Sequence, residues 1–412
     1  MSSDIRVHTF DNDITLVGEN RPHMSSAAFA MLVGIGAAID PSDQIGAASI
    51  LSEMFNRGAG SWNSRELSAE FESLGAQRNH TAGIEVSVFS CAGLGTNLSP
   101  ILDRYSTVLL SPTLDSAELE NVRQLALQEL ESLEDEPSSK VMVNLTKAFY
   151  PEPYGRPQMG TVEGVQAVSA KSLRDYYSNC FKPNRCVIGV AGNFDFDEAV
   201  QVIGNKFGAW NGTSEKPPLG ALPTKPSVHH THRDTAQLQI ALAYPSAQID
   251  DPDYYAARVG VGILSAGMAG RLFIEVREKR GLVYSVRASH SASKGRAAVF
   301  CYAGTTPDNG KETLSVVMEQ LRGLPNGIEE EELLRAKADI KSRLVMQSES
   351  SISRASQLVN DWWSLGRIRD IEEIKAGIDA VQPADIQRVC ERFPASAATL
   401  ATIGPQSLEI PS

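Results

Sequence analysis

Val88-Phe89-Ser90-Cys91-Ala92-Gly93 returns 211 residues later as Val299-Phe300-Cys301-Tyr302-Ala303-Gly304. The recurrence has company. Glu120-Asn121-Val122-Arg123 returns as Glu332-Leu333-Leu334-Arg335 at an offset of 212. Val168-Ser169-Ala170-Lys171-Ser172-Leu173 matches Val381-Gln382-Pro383-Ala384-Asp385-Ile386 at 213, and Val187 to Gly192 matches Thr399 to Gly404 at 212. One match of this length is noise. Four in the same order at nearly constant spacing are the mark of a duplicated fold.

Each half then folds as one domain. The expected boundaries are 1–210 for the first, 211–227 for a linker and 228–412 for the second. The linker, NGTSEKPPLGALPTKPS, carries Pro217, Pro218, Pro223 and Pro226 and reads as an extended connection. Each half opens on a strand with alternating apolar residues, Ala27 to Ile35 and Gln237 to Ala243. A helix, antiparallel strands, long amphipathic helices and a last apolar strand follow. Runs of strands and helices ordered this way predict the α+β class. Each domain is then a sandwich of a mainly antiparallel sheet with helices packed on one face.

The most distinctive stretch lies in the second half, Gly267-Met268-Ala269-Gly270-Arg271-Leu272-Phe273 followed by Arg277-Glu278-Lys279-Arg280-Gly281-Leu282-Val283-Tyr284. It places Arg277 near the end of a helix and Tyr284 on the strand after it. In the first half, Glu152-Pro153-Tyr154-Gly155-Arg156-Pro157-Gln158-Met159-Gly160 has the Pro and Gly content of a structural turn. These stretches resemble the M16 (pitrilysin and mitochondrial processing peptidase) zinc metallopeptidase family, subgroup M16B, over nearly the whole chain. The resemblance implies two homologous domains of the LuxS/MPP-like type. It also implies that Arg277 and Tyr284 hold a peptide backbone and hydrogen-bond the oxygen that turns negative during attack. A guanidinium and a phenol are donors suited to developing negative charge.

The same resemblance exposes a gap. The family carries H-x-x-E-H on a helix, whose i, i+3, i+4 spacing puts three side chains on one face. Two His hold zinc and the Glu takes a proton from the zinc-bound water. The helix expected here, Gly46 to Arg57 with Ala47, Leu51 and Met54 buried and Gly58 as its cap, has Ser49, Ser52 and Glu53 at those positions. Glu129, 76 residues after Glu53, stands where the family has its third ligand. Ser49, Glu53 and Glu129 suit a hard ion better than zinc; the competing reading is a solvated or locally paired Glu129. No His lies between His23 and His80, so a self-sufficient zinc protease is excluded. His80 belongs to GAQRNHT, which resembles the family's substrate-pairing edge strand. His229, His230 and His232 form the one histidine cluster, which reads as a surface strand entry or a metal-binding tract.

Composition narrows the rest. With 42% hydrophobic and 21% charged residues the chain is an ordinary globular one. A net charge of −12 disfavours phosphate binding, so no nucleic-acid partner is expected. The same charge serves solubility, or steering of basic peptides. No apolar run is long enough to span a bilayer, and MSSDIRVHTFDNDITLV shows no signal or transit pattern, so the cytoplasm is expected. Five cysteines without a C-x-x-C support neither a disulfide framework nor a zinc knuckle. The reading in sum is a non-catalytic subunit, not an active zinc protease on its own and binding no cofactor itself. Zinc is expected in an H-x-x-E-H partner, and unfolded peptides are the expected substrates. The alternatives are an inactive structural or peptide-binding homodimer, like the core subunits of respiratory complexes, or an accessory in the maturation of one precursor peptide.

Overall fold

The computed structural model describes residues 5–411, so the first four residues of the N-terminal stretch read for a targeting signal lie outside it. The chain forms two compact units. Unit 1 comprises the chain up to Glu131, Arg156–Pro218 and Gln347–Ile368; unit 2 comprises Ser132–Gly155, Leu219–Met346 and the chain from Arg369 onward.

The strands of unit 1 are β1 (Ile5–Thr9), β2 (Thr15–Asn20), β3 (Ser26–Val33), the short pair β4 (Gly58–Ala59) and β5 (Trp62–Asn63), β6 (Gln77–Ala82), β7 (Ser87–Leu94) and β8 (Cys186–Gly192). Those of unit 2 are β9 (Ser227–His232), β10 (Leu238–Pro245), β11 (Val283–Ser293), β12 (Arg296–Thr305) and β13 (Thr399–Gly404). The helices, in chain order, are α1 (Ala47–Met54), α2 (Ser64–Glu72), α3 (Leu98–Leu110), α4 (Ser116–Glu134), α5 (Pro137–Phe149), α6 (Val162–Ala167) and α7 (Ala170–Cys180). They continue with α8 (Phe196–Phe207), α9 (Tyr254–Ser265), α10 (Gly310–Gly323), α11 (Glu330–Ser348), α12 (Ser351–Leu365), α13 (Ile371–Ala380) and α14 (Pro383–Arg392).

The sheet of unit 1 runs β1-β2-β8-β3-β7-β6 and that of unit 2 runs β11-β12-β10-β13-β9. In each, one pair is parallel, β2 with β8 and β13 with β9, and the others are antiparallel. Each of the four repeated segments touches equivalent elements: β7 and β12, α4 and α11, α7 and α14, β8 and β13.

Two expectations change. β3 and β10 are not the opening strands, since β1 and β2 precede one and β9 the other. Nor are the helices confined to one face. α12, from the second half of the sequence, packs on the sheet of unit 1, and its counterpart α5, from the first half, packs on the sheet of unit 2. The contiguous division at 210 and 228 therefore gives way to units that each hold one helix from the other half.

Side-chain parity supplies the reason. On β3, Ala27, Phe29, Met31 and Val33 join the large core under α1 and α3, while Ala30 and Leu32 join Ala355, Leu358 and Val359 of α12. On β10, Leu238, Ile240, Leu242 and Tyr244 face one core, and Ala241 and Ala243 face Val141, Leu145 and Phe149 of α5. A strand apolar on both faces must be covered twice. α12 sits so close that a Cβ on Gly189 of β8 would meet the Ala355 carbonyl oxygen at 2.6 Å.

Candidate functional site

In unit 1 the region corresponding to the missing zinc motif is built around α1. Burying Ile50, Leu51 and Met54 fixes the helix against the sheet. Its start is held by Asp40, whose carboxylate accepts from the amides of Gly46 at 2.7 Å and Ala48 at 3.0 Å and from the Tyr176 hydroxyl at 2.8 Å. Arg156 donates to the Asp40 carbonyl at 2.6 Å. Gly160, from the Pro/Gly-rich turn, has a φ of +89°, and a Cβ there would lie 2.4 Å from the Ile45 carbonyl. That turn is thus a backbone seat for α1. The helix ends at Met54 with Phe55 as its cap; Gly58, expected as the cap, begins β4.

Asp40 offers a stability prediction. Burial pushes its carboxyl up to about 6, against the opposing pull of its donors. A carboxyl raised in the folded state contributes most below its ordinary value near 4, and that contribution is lost as pH rises toward 6. The stability advantage of the wild type over Asp40→Asn is expected to shrink by on the order of 2–3 kcal/mol between pH 4.5 and pH 7.5. Urea denaturation at both pH values measures it; an equal or growing advantage contradicts the assignment.

The three motif positions diverge. Ser52 is buried, and its hydroxyl has no hydrogen-bond partner; Ser49 is half-buried; Glu53 is exposed. Glu53 accepts from Nε2 of His80 at 3.1 Å, and this bond is the main cause of its lowered pKa. Asn56 lies within 3.0 Å of the same ring. Nothing in the sequence pairs His80, in the GAQRNHT stretch, with the motif positions. The fold brings it to Glu53 because β6 is the edge strand beside α1. No spacing signalled this pair, which is 27 residues apart.

Zinc does not fit these residues. A hydroxyl, Ser49, and a carboxylate already engaged with His80, Glu53, stand where the two imidazoles would be, and Ser52, at the Glu position, cannot take up the proton that the family's Glu accepts. Glu129 is exposed on α4. Among the described residues no three His, Cys, Asp or Glu side chains gather in a metal-holding group.

In unit 2, Arg277 lies in a π-helical turn, Phe273–Glu278, closed by the Lys279 amide on the Ile274 carbonyl at 2.9 Å. Such turns occur often at functional sites. Arg271 anchors its start, with Nε donating to Glu332 at 3.0 Å. The chain reverses at Gly281 and enters β11 through a bulge: Val283 pairs with Thr305 and Ser285 with Gly304, leaving Tyr284 as the extra residue. A bulge re-aims a side chain, and Tyr284 is 85% exposed.

The turn and the bulge bring the expected pair together. The Arg277 guanidinium lies 5.4 Å from the Tyr284 ring centroid and 4.9 Å from that of Phe273. Its charged neighbours are occupied: Lys279 and Arg280 both bind Glu275, at 2.6 and 2.8 Å, and hold that carboxyl below its usual range. Among the described residues Arg277 has no carboxylate partner. An exposed guanidinium without a counter-ion, stacked against a phenol, is a ready donor set for an anionic or carbonyl oxygen.

Comparison with known proteins agrees with this architecture. Residues 15–162 match the family model described as Insulinase (Peptidase family M16), and residues 167–340 that described as Peptidase M16 inactive domain. The chain is 27% identical to the Uncharacterized zinc protease YmxG of Bacillus subtilis, over 97% of this chain and 98% of that one. A solved peptidase M16 inactive domain from Pseudomonas fluorescens superposes with a TM-score of 0.90 at 20% identity, covering 99% and 100% of the two chains. A chain of complex III2 from Candida albicans superposes with a TM-score of 0.82 at 19% identity, covering 97% and 96%. Among the described residues no helix is long and apolar enough to cross a membrane.

Proposed function

The chain belongs to the M16 peptidase family, and from that premise we propose that it is the non-catalytic subunit of a two-chain peptidase. Its partner carries H-x-x-E-H and the zinc. This chain contributes Arg277 and Tyr284, which bind the peptide substrate and stabilise the oxyanion formed at the partner's metal. The observation that carries the reading is a contrast. The Arg277–Tyr284 pair is exposed, uncompensated and set on a π-turn and a bulge. The motif positions Ser49, Ser52 and Glu53 retain neither imidazole and no carboxylate at the general-base position. Donors kept without a metal act on something held elsewhere.

Cleavage of an unfolded peptide tests this. Neither this chain nor its partner alone is expected to turn over at an appreciable rate; the mixture is. Equal activity from the partner alone removes the role for this chain. The second reading, a homodimeric structural or peptide-binding protein, draws support from the fold shared with the complex III2 chain. A scaffold has no use for an exposed arginine and tyrosine in contact, and so leaves the pair unexplained. Maturation of one precursor peptide is compatible with either reading.

A further inference from the structure

β9 is the edge strand of unit 2 and reads Ser227-Val228-His229-His230-Thr231-His232. Alternation along a strand sends His230 and His232 to one face and His229 and Thr231 to the other. The contacts agree. Thr231 accepts from Asn144 of α5 at 3.2 Å, so its face is the one covered by α5. His230 and His232 are neighbours on the opposite face, with ring centroids 6.4 Å apart.

Their surroundings differ from those of two incidental surface histidines. β9 pairs in parallel with β13 so that His230 lies beside Thr402 and His232 beside Gly404. Thr402 is buried, and its hydroxyl is 2.9 Å from Nδ1 of His230. With Nδ1 carrying the proton and donating to that oxygen, Nε2 presents its lone pair outward, the arrangement that orients a metal-binding imidazole. Gly404 has no side chain, so nothing from β13 fills the space next to His232. With metal–nitrogen bonds of about 2.1 Å, two imidazole centroids bracket a shared ion at roughly 5–6 Å. A small rotation of the exposed His232 ring closes the difference.

We propose that His230 and His232 form a two-histidine chelate for a borderline divalent transition-metal ion, the class of Zn²⁺, Ni²⁺ and Cu²⁺, with water completing the coordination. Imidazole suits these ions, whereas Mg²⁺ and Ca²⁺ require oxygen donors. Two ligands on one rigid strand make the second bond intramolecular, which gives the pair more affinity than either ring alone. β9 lies at the opposite edge of its sheet from β11, the strand of Tyr284, and the site does not depend on the proposed peptidase partner.

Calorimetric titration of the full chain, without a histidine tag, tests it with NiCl₂ at pH 7.5. One equivalent is expected to bind, and His230→Ala and His232→Ala are each expected to weaken it at least about tenfold. His229→Ala, on the opposite face, is expected to bind as the wild type does. MgCl₂ is expected to give no saturable heat. Absence of saturable Ni²⁺ binding, an equal loss in His229→Ala, or an equal response to Mg²⁺ would overturn the assignment.

Discussion

Arg277→Ala is expected to lower the turnover of the proposed two-chain peptidase by about 10²–10³-fold while its zinc content stays unchanged. The loss follows from what the guanidinium is. It is a positive donor with no carboxylate partner among the described residues, so its charge is free for an oxygen that becomes negative in the transition state. Truncation removes that interaction from the transition state and also loosens the hold on the bound peptide, so the loss is expected in kcat with a smaller rise in KM. Arg277→Lys restores charge but not the planar fork that stacks between Phe273 and Tyr284, and is expected to recover only part of the rate. Steady-state kinetics on the reconstituted complex, with metal analysis of the same preparation, measures both. Unchanged turnover would sink the shared-site account.

The second large effect concerns stability. Arg354 of α12 is 1% exposed, and its Nε binds the buried carboxylate of Glu19 on β2; one terminal nitrogen donates to Gln357 at 3.0 Å. Arg354→Ala strands the Glu19 carboxylate, itself 6% exposed, without its partner and opens a large cavity. A loss of about 3–5 kcal/mol is expected, because breaking a buried pair costs more than the pair contributes. For a unit of this size the melting temperature falls by about 10 °C. Replacing both partners, Glu19→Leu with Arg354→Met, is expected to regain most of it. Differential scanning calorimetry separates the outcomes: a loss below about 1 kcal/mol for Arg354→Ala means that the pair is solvated and does not pin α12.

Much of this molecule is legible in the residues. The recurrence of Val88 to Gly93 at Val299 to Gly304 points to two equivalent sheets, and both strands occupy the same place in them. The exchanged helices escaped, although a signal was present. Ala27 to Ile35 is apolar throughout rather than alternating, and a strand of that kind has both faces buried. The residues that cover the second face lie more than 300 positions away in α12, a separation no local pattern reports. The surrounding string places Arg277 at a helix end and Tyr284 on the strand after it, as they stand in the fold, but gives no sign of the π-turn and bulge, because both are irregularities set by backbone pairing. The Glu53–His80 contact was missed for a similar reason: it joins a helix to an edge strand through the fold alone.

The central claim is that this chain works beside a different, zinc-bearing one. Native mass spectrometry of the complex drawn from its own cells, with metal analysis of the same sample, tests it most directly. A His230→Ala/His232→Ala version run in parallel removes from the count any metal held at the site proposed on β9. The account predicts a complex with one different chain of similar size and about one zinc, retained in that version. A zinc-free homodimer or monomer would contradict it.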